Sequence, residues 1–401
     1  AGVTNSLSYW TGYTMLRDSN GNLYMGGKFE NLNGIAAANA IAIQAAGGTT
    51  WAAVGAGLDA AGVVHSMVEG FDGKIYIGGN YISAGGIATA DYIARWTGSA
   101  YESITTSGAA DAVVRSLAIS RVGHLYAGGD FTTINGVSSN YIARYDGTNW
   151  NTVVGATALP TNGFVYSIIP DPWGDGVIIG GAFQDVGGDG TKDYLLRVVI
   201  SGTTYTYELI GGAAPNGAVH SMAYDPQSGR LYIQGAFTAI GNMYANYVAY
   251  YDGSSWRPLG TGYNTGAATT STIAAPGNGD VYAATYASAA FTAGGVSLPD
   301  SFVIWRGNQF MAPKFDITGA SRTGIGVFYD ALTGATYWLG VSQGSTVEGR
   351  TTITNTDYGD TYPTLVITGP GTVYGVQNYA TGERVDFNNL TLLEGQTFTV
   401  V

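Results

Sequence analysis

Residues Leu125 to Trp150 read LYAGGDFTTINGVSSNYIARYDGTNW, and looser copies of this phrase return every 50 to 54 residues along most of the chain. A period of that length limits the available folds more than any single motif. Each copy must be one structural unit that buries its faces against its neighbours. The glycine pair marking the phrase falls at Gly26-Gly27, Gly78-Gly79, Gly128-Gly129 and Gly180-Gly181. It becomes Gln234-Gly235 in the fifth copy and is worn to Ala284-Thr285 in the sixth, so the count is six copies.

Four strand-like pieces recur in each copy. The first is a short run centred on a small hydroxyl residue: Thr14, Ser66, Ser116, Ser167, Ser221 and Ser271. The second places Tyr24, Tyr76, Tyr126, Ile178, Tyr232 or Tyr282 two residues ahead of the glycine-pair position. The third is Asn140-Tyr141-Ile142-Ala143-Arg144 and its counterparts. The fourth opens on an aromatic residue: Trp51, Tyr101, Trp150, Tyr205 or Tyr207, Trp256, and Phe310. Asp146-Gly147 and Asp252-Gly253, between the last two pieces, are hairpin turns, since both residue types tolerate positive φ.

Four strands in about 50 residues, six times over, is the arithmetic of an all-β chain folded as a six-bladed β-propeller with four-stranded blades. This reading assigns the ring to residues 1–313. The recurring aromatics are expected between blades, where each removes roughly 150–250 Å² from water. The glycine pair is expected to admit a twisted strand end or the close approach of a neighbouring blade. A phosphate loop is ruled out by the absence of a following Lys-Ser/Thr and of a helical pattern.

Composition narrows the partners. Net charge is −12 with four lysines, so the surface repels nucleic-acid phosphates and anionic membranes. No uninterrupted apolar run approaches the roughly 18 residues of a membrane-spanning helix. Disulfides and thiolate metal sites are excluded because there is no cysteine. The chain opens on Ala1 rather than Met, as a processed product would. Scarce charge with abundant Gly, Thr, Ser, Asn and Tyr suits a rigid extracellular or virion protein.

On the phrase at 125–150, with its Gly-Gly pair, later Tyr-Asp-Gly turn and following Trp, the repeat resembles the kelch-like propellers. The radical copper oxidases of that group need a cysteine, which excludes that activity here. Residues 314–401 lack the glycine-pair phrase and are expected to form a separate small β-sandwich. Its alternating runs are Thr351–Thr354, Thr364–Ile367 and Thr397–Val400, separated by Gly369-Pro370-Gly371 and Ala380-Thr381-Gly382-Glu383. With Asn355, Tyr362-Pro363, Ile367-Thr368-Gly369-Pro370, Asn378 and Leu393-Glu394-Gly395, this block is similar to the C-terminal domain of siphophage tail components of the distal-tail type. The resemblance implies docking to other tail or virion proteins, with the ring presenting loops to a host surface, a glycan among its possible targets.

The first strand of each blade lines a propeller's channel, so the residue before each hydroxyl defines a candidate ring: Tyr13, His65, Arg115, Tyr166, His220 and Thr270. Such a ring could hold an anion or a sugar, with tyrosines as stacking faces, or could simply hydrate the axis. His65 and His220 stand three blades apart, too far for one metal in an ordinary channel. Carboxylates crowd the fourth repeat at Asp171, Asp175, Asp185, Asp189 and Asp193. Paired acids serve glycoside hydrolysis and oxygen clusters bind calcium, but each of these sits in turn-forming sequence. Asp18-Ser19-Asn20-Gly21-Asn22 resembles a calcium loop superficially, since Leu23 stands where glycine is needed. No nucleophile–base pair, cofactor motif or metal-ligand spacing emerges. The expectation is a non-enzymatic structural and adhesive tail component, with a secreted lectin or adhesin, or a carbohydrate-active enzyme using Asp189 and Asp193, as alternatives.

Overall fold

A computed structural model describes residues 11–32, 35, 37–153, 163–201, 204–264, 272–285, 291–298, 302–306 and 308–311, with strands at 317–318, 322–330, 335–342, 346–347, 365–368, 371–377, 384–392 and 397–400. The third blade shows how one repeat folds. Val114–Ile119, Leu125–Gly129, Ile142–Tyr145 and Trp150–Thr152 pair in that order as an antiparallel sheet. Leu125 stands opposite Ile119 on one side and Tyr145 on the other. All six repeats form such four-stranded blades, and their first strands pack against one another around the axis. The ring is an all-β, six-bladed propeller.

Apolar residues fill the gaps between blades because alternation gives each sheet two apolar faces, neither buried within its own repeat. One cluster joins Tyr24, Ile41 and Val54 of the first blade to Val64, Met67 and Ile77 of the second. Another joins Tyr126, Ile142 and Val153 of the third to Val165, Ile179 and Tyr207 of the fourth. Four of the predicted aromatics gain a polar anchor in these gaps. The Tyr101 hydroxyl donates to Val54 O (2.9 Å), Trp150 Nε1 to Ile104 O (2.9 Å), Tyr207 hydroxyl to Val153 O (2.6 Å) and Trp256 Nε1 to Ile210 O (2.8 Å). Each thus buries a large ring while satisfying a carbonyl of the preceding blade. In the fourth blade Tyr207, rather than Tyr205, makes this contact.

A second joint runs along the axis. Ser66 Oγ accepts from the backbone N–H of Leu117, Ser116 Oγ from Ile168, and Ser221 Oγ from Ile273, at 2.9 to 3.0 Å. In the sixth blade the hydroxyl in this register is Thr272, opposite Ala284, and not Ser271. Its Oγ1 accepts from Val327 N–H at 2.9 Å.

That last bond bears on where the ring ends. The sequence reading puts residues 314–401 together in a C-terminal sandwich. The hairpin Arg322–Asp330/Ala335–Ser342 instead continues the sheet of the first blade through the pair Thr11 and Val341. Its Phe328 and Tyr337 pack against the first-blade cluster of Met15, Leu23 and Met25. Arg17 Nε and Nη2 donate to both carboxylate oxygens of Asp330, at 2.7 and 2.5 Å. Burial and pairing therefore draw this hairpin to the blades, and the compact units are residues 1–349 and 350–401.

In the second unit, Leu365–Thr368 pairs with Thr397–Val400 and Gly371–Gln377 with Arg384–Leu392, all antiparallel. The expected run Thr351–Thr354 lies outside the described residues.

Candidate functional site

The candidate ring residues share one backbone feature. The ladder between first and second strands slips by a residue between Gly12 and Thr14, Val64 and Ser66, Val165 and Ser167, and Val219 and Ser221. It slips at the equivalent place in the third blade, where Ser116 faces Gly128 and Val114 faces Gly129. Tyr13, His65, Arg115, Tyr166 and His220 are thus the extra residues of five bulges. A bulge re-aims one side chain and bends its strand. Thr270 lies outside the described residues.

The glycine pair explains why the bulge forms. A Cβ on the second glycine would stand 2.0 to 2.1 Å from a backbone carbonyl: Thr11 for Gly27, Val63 for Gly79, Val113 for Gly129, Phe164 for Gly181 and Ala218 for Gly235. On the first glycine it would strike the next blade, at Val64, Val114, Val165 or Val219 Cγ1, 2.5 to 2.8 Å away. Both expected roles hold, one for each residue of the pair. In the fifth blade Gln234 fills this place with a buried amide that donates to Thr272 O (3.2 Å) and Ala284 O (3.0 Å).

Neighbouring ring residues touch. Tyr13 meets His65 edge-on with centroids 5.2 Å apart, and Tyr166 meets His220 the same way at 5.4 Å. Between these pairs, the Arg115 guanidinium lies 5.6 Å from the Tyr166 ring centre and binds both carboxylate oxygens of Asp130, at 2.5 and 2.6 Å. Burial, followed by the charge of Arg115, lowers the His65 pKa to about 4. The imidazole is therefore neutral at physiological pH, and the one guanidinium here is balanced by a carboxylate.

An outer tier was not visible in the sequence. Ala40, Tyr92, Tyr141, Tyr194 and Tyr247 occupy one equivalent position and all take a left-handed backbone, with φ between 58° and 70°. Each donates its N–H to an aromatic residue's carbonyl (Phe29, Tyr81, Phe131, Phe183, Phe237) and accepts from the second glycine of its pair. Two bonds, one on each peptide unit flanking the α-carbon, hold a conformation that costs a β-carbon residue about 1–2 kcal/mol. The only hint is the recurring Asp/Asn-Tyr at 91–92, 140–141, 193–194 and 246–247. The Tyr141 ring meets Phe164 edge-on at 5.7 Å, and Phe164, 40% exposed, lies 6.4 Å from Tyr166. A run of touching rings therefore joins buried Tyr141 of the third blade to exposed Phe164 and to Tyr166 of the fourth.

The opposite end of the same first strands is apolar. Leu16, Val68, Leu117, Ile119, Ile168 and Pro170, with Glu69 among them, line an open depression of about 330 Å³ there. The first strands thus carry the bulge residues near one end and a largely apolar depression near the other.

The fourth-blade acids do not converge. Asp171 and Asp175 belong to the turn after the first strand, whereas Asp185, Asp189 and Asp193 belong to the loop at the sheet's other end. Buried Asp171 accepts from Arg197 Nε (2.6 Å) and Trp173 N–H (2.9 Å). Asp193 accepts from Asp185 N–H (2.7 Å), and Asp189 from the Thr191 hydroxyl (2.7 Å). Asp18 likewise closes its own turn by accepting from Asn22 N–H at 2.7 Å. Among the described residues no three His, Asp or Glu side chains gather as a metal site would require, and no helix is long and apolar enough to cross a membrane.

No protein-family model and no curated protein matches the chain. Solved structures do. The extracellular domain assigned to a hybrid two-component system of B. thetaiotaomicron superposes with a TM-score of 0.55 at 15% identity. That match covers 85% of this chain and 39% of the other, so the chain spans about two fifths of that structure. A catalytically inactive virginiamycin B lyase from Staphylococcus aureus, solved with quinupristin, gives 0.51 at 12% identity, covering 86% of this chain and 96% of the lyase. At these identities the likeness is one of fold. The class defined by fold and neighbours is the β-propeller, and the chemistry of this chain has to be argued from its own mouth residues.

Proposed function

We propose that the chain is a non-enzymatic recognition protein, the structural and adhesive component of a phage-like tail, whose ring mouth binds a neutral saccharide of a host surface. The observation that carries this reading is the doubly hydrogen-bonded Arg115–Asp130 pair beside Tyr166, with exposed Phe164 next to it. Hydroxyl-bonding groups beside aromatic rings match a sugar, whose polar edge and apolar face both need partners. Neutrality of the ligand follows from the matched charge of Arg115 and the uncharged His65. The tail assignment is supported by the resemblance of residues 351–401 to distal-tail components, which also makes other tail proteins the partners of that segment.

A glycan array carrying neutral and sialylated sugars, read with the full chain, tests the ligand. Binding of neutral sugars with a Kd of about 1 mM or tighter, weakened at least about tenfold in Phe164→Ala and Asp130→Ala, is expected. No binding to any sugar would leave only the structural role. Electron microscopy of particles tests the location, and a position away from the tail tip would reject it. A secreted lectin would keep the glycan result and fail the microscopy. The enzyme alternative requires turnover that is lost in Asp189→Asn and Asp193→Asn.

A further inference from the structure

We propose that the ring closes through a two-stranded seventh sector, the hairpin Arg322–Asp330/Ala335–Ser342, seated between the sixth and first blades and latched by Arg17 on Asp330. Its sequence is a repeat that lost its glycine pair. Tyr329-Asp330, Thr333-Gly334, Tyr337 and Gly340 fall at the spacing of Tyr224-Asp225, Ser228-Gly229, Tyr232 and Gly235 in the fifth blade. The backbone repeats the blades' signature. Gly324 pairs with Gly340 and Gly326 with Leu339, which leaves Ile325 as the extra residue of a bulge. Val219 with Gly235, Ser221 with Gln234 and His220 between them show the same arrangement.

The hairpin makes a blade-type joint toward the sixth blade and packs against the first. Toward the sixth blade, Val327 N–H donates to Thr272 Oγ1, as Leu117, Ile168 and Ile273 donate to the hydroxyls before them. The Tyr329 ring stacks on Tyr282 at 6.3 Å and 12°. Toward the first blade, Phe328 and Tyr337 join the apolar cluster, and Thr11 pairs with Val341. Asp330 is 1% exposed and its carboxylate is held by both Nε and Nη2 of Arg17. The same guanidinium donates from Nη1 to Gly21 O at 2.5 Å, tying the hairpin to the turn of the first blade.

A two-stranded sector accounts for one irregularity. Trp150 and Trp256 reach a carbonyl at the outer end of the preceding blade and are buried, whereas Trp51 of the first blade is only partly buried. Its predecessor in the ring is the hairpin, to which the described residues contribute no third or fourth strand.

Hydrogen–deuterium exchange on the full chain tests the proposal, because sectors that close a ring open together. In the unsubstituted protein the strands at 322–330 and 335–342 should be as protected as Val114–Ile119. Asp330→Asn leaves Arg17 partly uncompensated in a buried setting. It should speed exchange in the hairpin, in Thr11–Arg17 and in Thr272–Ala274 by at least about tenfold more than in Val114–Ile119 and Val165–Pro170. Should Asp330→Asn fail to fold, Thr272→Val, which removes only the acceptor of Val327, is read the same way. Exchange of the hairpin at the rate of exposed turns in the unsubstituted protein would overturn the proposal. So would an equal rise in every blade, or no rise at all.

Discussion

Replacing Gly129 by alanine separates the two roles of the glycine pair and reaches the mouth through the backbone. The added Cβ would stand 2.1 Å from Val113 O, and relief to even 3.0 Å requires moving one backbone segment about 0.9 Å past the other. Val113 O is the acceptor of Asp130 N–H at 2.9 Å, so the same movement breaks a ladder bond and displaces the carboxylate that holds Arg115. Overpacking of about 1–3 kcal/mol plus a lost hydrogen bond of about 1 kcal/mol gives an expected loss of about 2–4 kcal/mol. Gly128→Ala meets only side-chain ends of the fourth blade, Val165 Cγ1 at 2.6 Å and Ile168 Cδ1 at 2.7 Å. It should cost about 1–3 kcal/mol alone and be partly rescued by Val165→Ala, with a coupling of at least about 0.5 kcal/mol. Urea unfolding followed by tryptophan fluorescence measures the unsubstituted protein, the three single variants and the two doubles that carry Val165→Ala. The reasoning fails if Gly129→Ala unfolds at the unsubstituted midpoint, or if Val165→Ala rescues both alanine variants equally.

Three further outcomes follow from described contacts. The folded His65 pKa of about 4 lies below its ordinary 6.5, so the unfolded chain binds more protons between those values. Stability contributed by neutral His65 is complete above pH 6.5 and falls by up to about 3 kcal/mol as pH drops toward 4, a slope that His65→Gln should flatten in thermal melts. Trp150→Phe should cost about 1–3 kcal/mol by leaving Ile104 O unpaired, and Trp150→Ala about 3–5 kcal/mol, both read from denaturation midpoints. If Trp150→Phe were neutral, the indole bond would contribute nothing to the joint. At the mouth, Tyr166→Ala should weaken neutral-sugar binding more than Tyr13→Ala, since only Tyr166 lies beside both Arg115 and Phe164. Equal losses by calorimetric titration would place the ligand elsewhere.

The repeat, its four strands and its inter-blade aromatics were readable because each depends on residue type at a fixed offset: Trp150 must bury a ring, and Gly128 must lack one. What escaped depends on conformation. A left-handed glycine announces itself, but Tyr141 in the same conformation carries no such mark, because its two backbone bonds go to Phe131 and Gly129 across the long loop of its own repeat. The bulge shift was equally silent. It turns Arg115 and its counterparts into re-aimed residues, and its absence from the periodicity let Ser271 stand for Thr272. The hairpin at 322–342 was missed because Leu339-Gly340 replaces the glycine pair and no Tyr-Ile-Ala-Arg phrase follows. Its place emerged only from long-range partners such as Arg17 and Thr272.

The axial hydroxyl joint points one way. A hydroxyl on four of the first strands, Ser66, Ser116, Ser221 and Thr272, accepts from the next strand around the axis, at sequence separations of 51, 52, 52 and 55 residues. A tandem duplication of one unit would therefore arrive with a matching donor and acceptor already on its two sides. Genes encoding such rings can change circumference by unequal recombination without redesigning any seam, and surface loops on a surplus copy would then be free to diverge.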